Sequence, residues 1–327
     1  MNKLYPIKFH PIYKDKVWGG TRLKNIFEKN FDPLPNCGES WEISGVKGSV
    51  SVVGNGFLQG NSLEELMEVY MGDLVGDKIF GQHGKQFPLL LKFIDTTQAL
   101  SIQVHPDSAM AFERHQSYGK TEMWYVLHAE PDAEIIVGFR EGVDKDTYLH
   151  HVENNTIRDI LNVEKAFPGD VFFIPAGRIH AIGAGITLCE IQQSSDMTYR
   201  VYDWDRPGVD GKPRELHLDE ALDAIDFSKV DEYKTPYKAP KNDSTQLVSC
   251  EYFTTNLMAF DRKIACDYFY LDSFVIYVCV EGAFTVVYPH GSEHIMAGDT
   301  VLLPAEIKQV ELLPDKPCKV LEVYIKS

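Results

Sequence analysis

Paired cysteine motifs are missing from this chain. Its six cysteines stand at 37, 189, 250, 266, 279 and 318 of 327 residues, with no CxxC anywhere. This excludes a zinc ribbon and a small disulfide scaffold, and points to thiols that fill a core in a reducing cytoplasm. No run approaches the roughly 18 apolar residues of a membrane-spanning helix. The opening segment MNKLYPIKFHPIYKDKVWGG has no apolar core of signal-peptide length. Positive charge is also short: 32 Lys and Arg against 48 Asp and Glu leave a formal charge of −16. That is the wrong sign for a nucleic acid or an anionic membrane as partner. An anionic ligand would have to be held by a local cluster of Lys, Arg or metal against the general field.

Several catalytic signatures are absent as well. Gly119-Lys120-Thr121 resembles the end of a phosphate loop, but Arg114 stands where the first glycine is required and a strand follows. Gly54, Gly56 and Gly60 miss the dinucleotide-binding spacing. Neither a GxSxG elbow nor an HExxH helix occurs. His150 and His151 are neighbours in an expected helix, where side chains diverge by about 100°, and read as surface residues.

What the sequence has in quantity is short apolar strands. With 44% hydrophobic and 24% charged residues it has a globular composition. Phe87 to Val104 reads as two buried strands split at Asp95, Thr96 and Thr97. Further strands are expected at 123–127, 133–137, 170–174, 274–280, 283–288 and 300–303. Many short strands between Gly, Pro and Asp point to a mainly β fold, a jelly roll or barrel. Helical patterns are expected near 62–79, 146–166 and 216–226, as insertions around the β scaffold. Residues 228–244 lose apolar periodicity and read as a linker. A weak echo straddles it: Pro168-Gly169-Asp170 through Pro175 against Ala297-Gly298-Asp299 through Pro304. Two related barrels, a larger one in residues 1–240 and a smaller one in 245–327, would explain it.

Three segments could carry chemistry. In Leu100-Ser101-Ile102-Gln103-Val104-His105, strand alternation sets Gln103 and His105 on one side and Ile102 and Val104 on the other. Glu122 opens the strand EMWYVL, a carboxylate on an apolar element that would be costly to bury unpartnered. Gly169 to His180 forms a turn, a strand and a Pro-x-Gly turn that delivers His180 to the end of a barrel wall. Two imidazoles, a carboxylate and an amide oxygen suit a divalent transition metal with an open position. Iron and zinc are both compatible with that donor set.

The segment Gly169 to His180 matches the second cupin motif, Gly-x5-Pro-x-Gly-x2-His. Together, LSIQVHPD, GKTEMWYVL, IPAGRIHAIG and YRVYDWDR, with Trp18-Gly19-Gly20 and Gly38 to Glu42, resemble the short bacterial type I phosphomannose isomerases. The resemblance runs from residue 10 to at least residue 220. It implies two cupin-like jelly-roll barrels, with Gln103, His105, Glu122 and His180 holding one zinc ion and Arg200 as the catalytic arginine. It further implies that Lys120, Ser101 and Lys92 line a pocket for a phosphorylated hexose. Aligning the echo puts Gln309, Glu306 and Phe274 where His180, Gly177 and Glu122 stand, so the second barrel is expected to bind no metal. The assembly expected is a monomer or weak homodimer.

The activity implied is interconversion of mannose 6-phosphate and fructose 6-phosphate by proton transfer between C1 and C2. Lys120, a histidine or a metal-bound water could serve as base. Two rivals have the same donors, an Fe(II) cupin oxygenase and a non-catalytic sugar-binding cupin. The segment YRVYDWDR, which neither rival requires, favours the isomerase.

Overall fold

The computed structural model describes residues 3–208, 211–228 and 230–326. Lys229, inside the expected linker, lies outside them. All strand pairing within the named sheets is antiparallel, and it forms three sheets. The first barrel is built from two. One runs Val171–Ile174, Glu122–Ala129, Ile186–Gln193, Leu89–Asp95, Glu39–Ser44, Ile12–Lys14; the other runs Tyr199–Tyr202, Ile102–Val104, His180–Ile182, Glu134–Phe139, Leu161–Lys165. The second barrel is a nine-stranded sheet whose backbone is the long pair Val275–Tyr288 and Gln309–Tyr324. This is the mainly β, two-barrel cupin-like architecture that strand spacing and motif resemblance imply.

The N-terminal strand Ile7–His10 pairs with Thr300–Leu303, so early residues extend the sheet of the second barrel. The end of the helix Leu63–Val75 docks there too, where Phe274, Ala305 and Glu306 donate backbone N–H groups to Val75, Leu74 and Asp73. The largest apolar cluster joins Leu63, Leu66 and Met67 with Phe274, Leu302 and Leu321 across both barrels. Residues 233–237 of the expected linker are held against the first barrel: Tyr233 Oη donates to Phe139 O, Tyr237 Oη to Gly169 O, and Lys234 pairs with Asp170 at 2.7 Å.

Helix boundaries differ from expectation in physically readable ways. The segment near 62–79 is two helices, Leu63–Val75 and Asp77–His83, divided at Gly76. Near 146–166 the helix stops at Glu153, and Leu161–Lys165 is a strand paired with Glu134–Phe139. The alternation in Leu-Asn-Val-Glu-Lys favours a half-buried strand, and Asn155 at φ 55° ends the helical path. Ser108–His115 is a further helix, capped by Asp107, which accepts from the Met110 N–H. Expected strands 274–280 and 283–288 are one strand with register shifts around Glu281.

Leu63–Val75 begins with a reciprocal cap. Ser62 Oγ accepts from the Glu65 N–H at 3.2 Å, and the Glu65 carboxylate accepts from the Ser62 N–H at 2.7 Å. Ser62→Ala is expected to cost about 1 kcal/mol, read as a lower denaturant midpoint with an unchanged slope.

Candidate active site

His105, Glu122 and His180 come from three separate segments, and hydrogen bonds from backbone N–H groups stitch those segments together. The Gly177 N–H donates to His105 O, the Lys120 N–H to Pro106 O, and the Ala176 N–H to Thr121 Oγ1. Two glycines make this possible. Gly177 turns the chain at φ 86°, a left-handed conformation costly for other residues. Gly119 packs so tightly on the start of the helix Ser108–His115 that a Cβ would lie 2.5 Å from the Ser108 nitrogen.

The three donors converge. Each offers one ligand atom, and these lie within 4.8 Å of one another with all three side chains buried. It is the one such group among the described residues. Glu122 Oε1 lies 3.4 Å from His180 Nε2, and Oε2 lies 3.5 Å from His105 Nε2. His180 Nδ1 lies 2.8 Å from Arg178 O. A carbonyl only accepts, so Nδ1 carries the proton and the Nε2 lone pair faces the carboxylate. Burial, reinforced by the Lys120 ammonium, lowers His105 to about 3, and burial lowers His180 as well. Both rings are therefore neutral donors at neutral pH. Burial alone would raise the Glu122 carboxyl, but the Lys120 ammonium 2.7 Å away outweighs it and holds it well below its ordinary value.

His180 Nε2 and Glu122 Oε1 are buried without a hydrogen-bond partner, and Glu122 Oε2 meets only the Lys120 ammonium. Such orphans are expensive unless something cationic meets them. Two neutral imidazoles and a carboxylate with these free lone pairs fit a divalent cation. Lys120 partly meets the need, with Nζ 2.7 Å from Glu122 Oε2 and 2.8 Å from His105 Nε2.

The remaining sequence candidates line one cavity of about 480 Å3 beside this group: Lys92, Ser101, Gln103, Lys120 and Arg200. Register explains much of it. Gln103 stands opposite His180 on one side and Arg200 on the other, and directly opposed residues share a face. On the facing sheet, Trp124, Glu190, Lys92 and Trp41 form a second row. A larger cavity of about 790 Å3 adjoins it and shares Asp196 and Met197, but Lys120, which touches the donor group, lines only the smaller one.

Arg200 is not committed to the neighbouring carboxylates. Asp203 is taken by Arg206 and Arg214, and Asp205 accepts from Tyr202 Oη. Arg200 Nη1 donates to the Glu215 carbonyl at 2.7 Å, and its buried Nε has no partner.

Sequence reading passed over Glu190. Its carboxylate pairs with Lys92 at 2.8 Å and accepts from Trp124 Nε1 at 2.9 Å. Burial and the nearby Glu122 charge raise it. The signal was available, since Glu190 is the one ionisable carboxylate in the apolar strand ITLCEIQQ, the same anomaly that marked Glu122. Lys14, Lys16, Glu39, Trp41 and Arg214 also line the cavity, and they are brought from segments too distant for any local pattern.

The family described as phosphomannose isomerase type I, catalytic domain, matches residues 7–130. A mannose-6-phosphate isomerase of Bacillus subtilis is 38% identical over 76% of this chain and 78% of its own length. The chain belongs to the type I phosphomannose isomerases. Another relative, a mannose-6-phosphate isomerase of Streptococcus mutans, is 36% identical over 90% of each chain. The likeness extends to the fold: the crystal structure of the mannose 6-phosphate isomerase from Bacillus subtilis superposes with a TM-score of 0.86 at 32% identity, covering 98% of this chain and 99% of that one. A mutant of the Salmonella typhimurium phosphomannose isomerase shares the fold at a TM-score of 0.78 and 17% identity, over 99% and 100% of the two chains.

Proposed function

We propose that this phosphomannose isomerase family member interconverts mannose 6-phosphate and fructose 6-phosphate in the cytoplasm, using zinc held by His105, Glu122 and His180 with Gln103 as a fourth ligand. The observation that carries this reading is the buried His-Glu-His group lying beside a cavity lined by Lys120, Gln103 and Arg200. All six cysteines are unpaired, in keeping with a reducing compartment.

The reaction moves a hydrogen between C1 and C2 and shifts the carbonyl the opposite way. A hydrogen on carbon beside a carbonyl is a poor acid, so charge growing on oxygen must be stabilised. Bound zinc supplies a Lewis acid for the sugar oxygens. Arg200, planar and always charged, aims a buried and unpartnered Nε–H from the adjoining strand and clamps a substrate oxygen. Lys120 Nζ touches the donor group and also lines the cavity. We therefore assign it the proton transfer: as the neutral amine it would take the proton from one carbon, leaving an enediol, and as the ammonium return it to the other from the same face of the sugar. Ser101 and Lys92 orient the hydroxyls, with Lys92 itself fixed by Glu190.

The test is an assay on purified protein with its metal quantified. Zinc at one ion per chain, turnover of mannose 6-phosphate, loss with a chelator and recovery on adding zinc are expected. A zinc-replete protein that forms no fructose 6-phosphate would reject the reading. Fe(II)-dependent consumption of O2 with no fructose 6-phosphate formed would favour an oxygenase.

A further inference from the structure

The substrate proposed above carries a dianion onto a protein of charge −16, and this step rests on that reading. We propose that Lys16 and Arg214 form the phosphate clamp of the site, with Asp203 as the residue that positions Arg214.

The cavity beside the metal donors does not end at Arg200. A second cavity of about 540 Å3 continues outward, and the lining residues common to both are Lys16, Trp18, Arg200 and Arg214. Three of those four are cations. Gln103 and Lys120 line only the inner cavity. Arg200 stands one strand beyond Gln103, roughly 4.8 Å further from the donors. A sugar with C1 and C2 at the donors therefore directs its far end toward the passage that Lys16 and Arg214 both line.

Charge accounting picks out the same place. Asp203, buried at 5% exposure, accepts from Arg206 through Nε and Nη2 and from Arg214 through Nε and Nη2. Arg200 lies close enough that Arg214 and Arg206, after burial, help lower it. Two guanidiniums thus share one buried carboxylate, and Arg200 stands beside them without a carboxylate bond of its own. Lys16 adds a further cation, with only a long 3.8 Å contact to Glu39. Asp15 and Glu215 also line the outer cavity; neither makes a direct ion pair with these cations among the described residues, although the Glu215 charge acts on Arg200 through space. Asp203 grips Arg214 by Nε and Nη2 and leaves Nη1 outside that pairing. A phosphate dianion matches both the clustered cations and the fork of donors.

Arg214→Gln and Lys16→Met, made singly, are expected to raise the KM for mannose 6-phosphate roughly 10- to 100-fold with kcat changed less than about twofold. Arg214→Lys should recover a large part of the loss. Inorganic phosphate, used as competitive inhibitor and in calorimetric titration of the zinc-loaded protein, should bind more weakly to both neutral variants by a similar factor. Zinc content and melting temperature report on folding. The proposal is overturned if both variants keep wild-type KM and wild-type phosphate affinity, or if kcat falls while phosphate binding is untouched. A wild-type protein that binds phosphate but does not turn over mannose 6-phosphate would instead count against the isomerase reading and leave the clamp standing.

Discussion

Glu122→Gln is expected to lower affinity for the divalent ion by at least about a hundredfold and to abolish turnover at ordinary zinc concentrations. Altering residues that merely orient a metal ligand typically costs 10- to 100-fold in affinity or activity, and loss of the only anionic donor lies at or beyond the top of that range. The same change strands Lys120, whose Nζ rests 2.7 Å from the lost charge at 5% exposure. Removing one partner of a buried pair costs about 3–5 kcal/mol, so the metal-free variant should also melt earlier. His180→Gln separates the two effects, because it removes a donor and leaves the Lys120–Glu122 pair intact. Metal analysis with thermal melting of the chelated proteins checks both. Equal metal content in wild type and Glu122→Gln would remove Glu122 from the ligand set.

Arg200→Ala should keep its zinc and lower kcat by about 100- to 1,000-fold, the usual effect of deleting a preorganised donor to developing negative charge. The structure makes this sharper than the sequence could. Arg200 has no carboxylate partner to strand: its side chain makes one bond, from Nη1 to the Glu215 carbonyl, and its backbone N–H and C=O both meet His217. A purely structural arginine would instead reveal itself as a change in melting temperature at constant kcat. Steady-state kinetics on metal-replete protein decide between these outcomes, and wild-type kcat in the variant would remove the assigned role.

Much of the catalytic barrel was legible because its signals are local. Alternation in Ile102-Gln103-Val104 predicted which residues are buried, and Ile102 and Val104 are both fully inside. Glu122 stood out as a charge on an apolar strand, and the Pro-x-Gly turn before His180 carries its own backbone chemistry. The paired turns at Gly169 and Gly298 share a φ of 92°, which is the physical content of the echo between the two halves. Helix ends were less legible. Leu161–Lys165 follows directly on a helical pattern, and only pairing with Glu134–Phe139 makes it a strand. The helix Ser108–His115 went unread because its cap, Asp107, sits in the segment that drew attention for His105.

By itself the sequence determined the β class of the chain, its doubled plan and the residue types that converge in the buried His-Glu-His group, since each depends on alternation, turn residues or motif spacing along a short stretch. Only the tertiary structure decided that Ile7–His10 extends the sheet of the distant barrel, that Glu190 holds Lys92, and that Asp203 is shared by Arg206 and Arg214 and so leaves Arg200 free. Those facts are set by which strands become neighbours and by which carboxylate reaches which cation first. Both are long-range outcomes that no local pattern encodes.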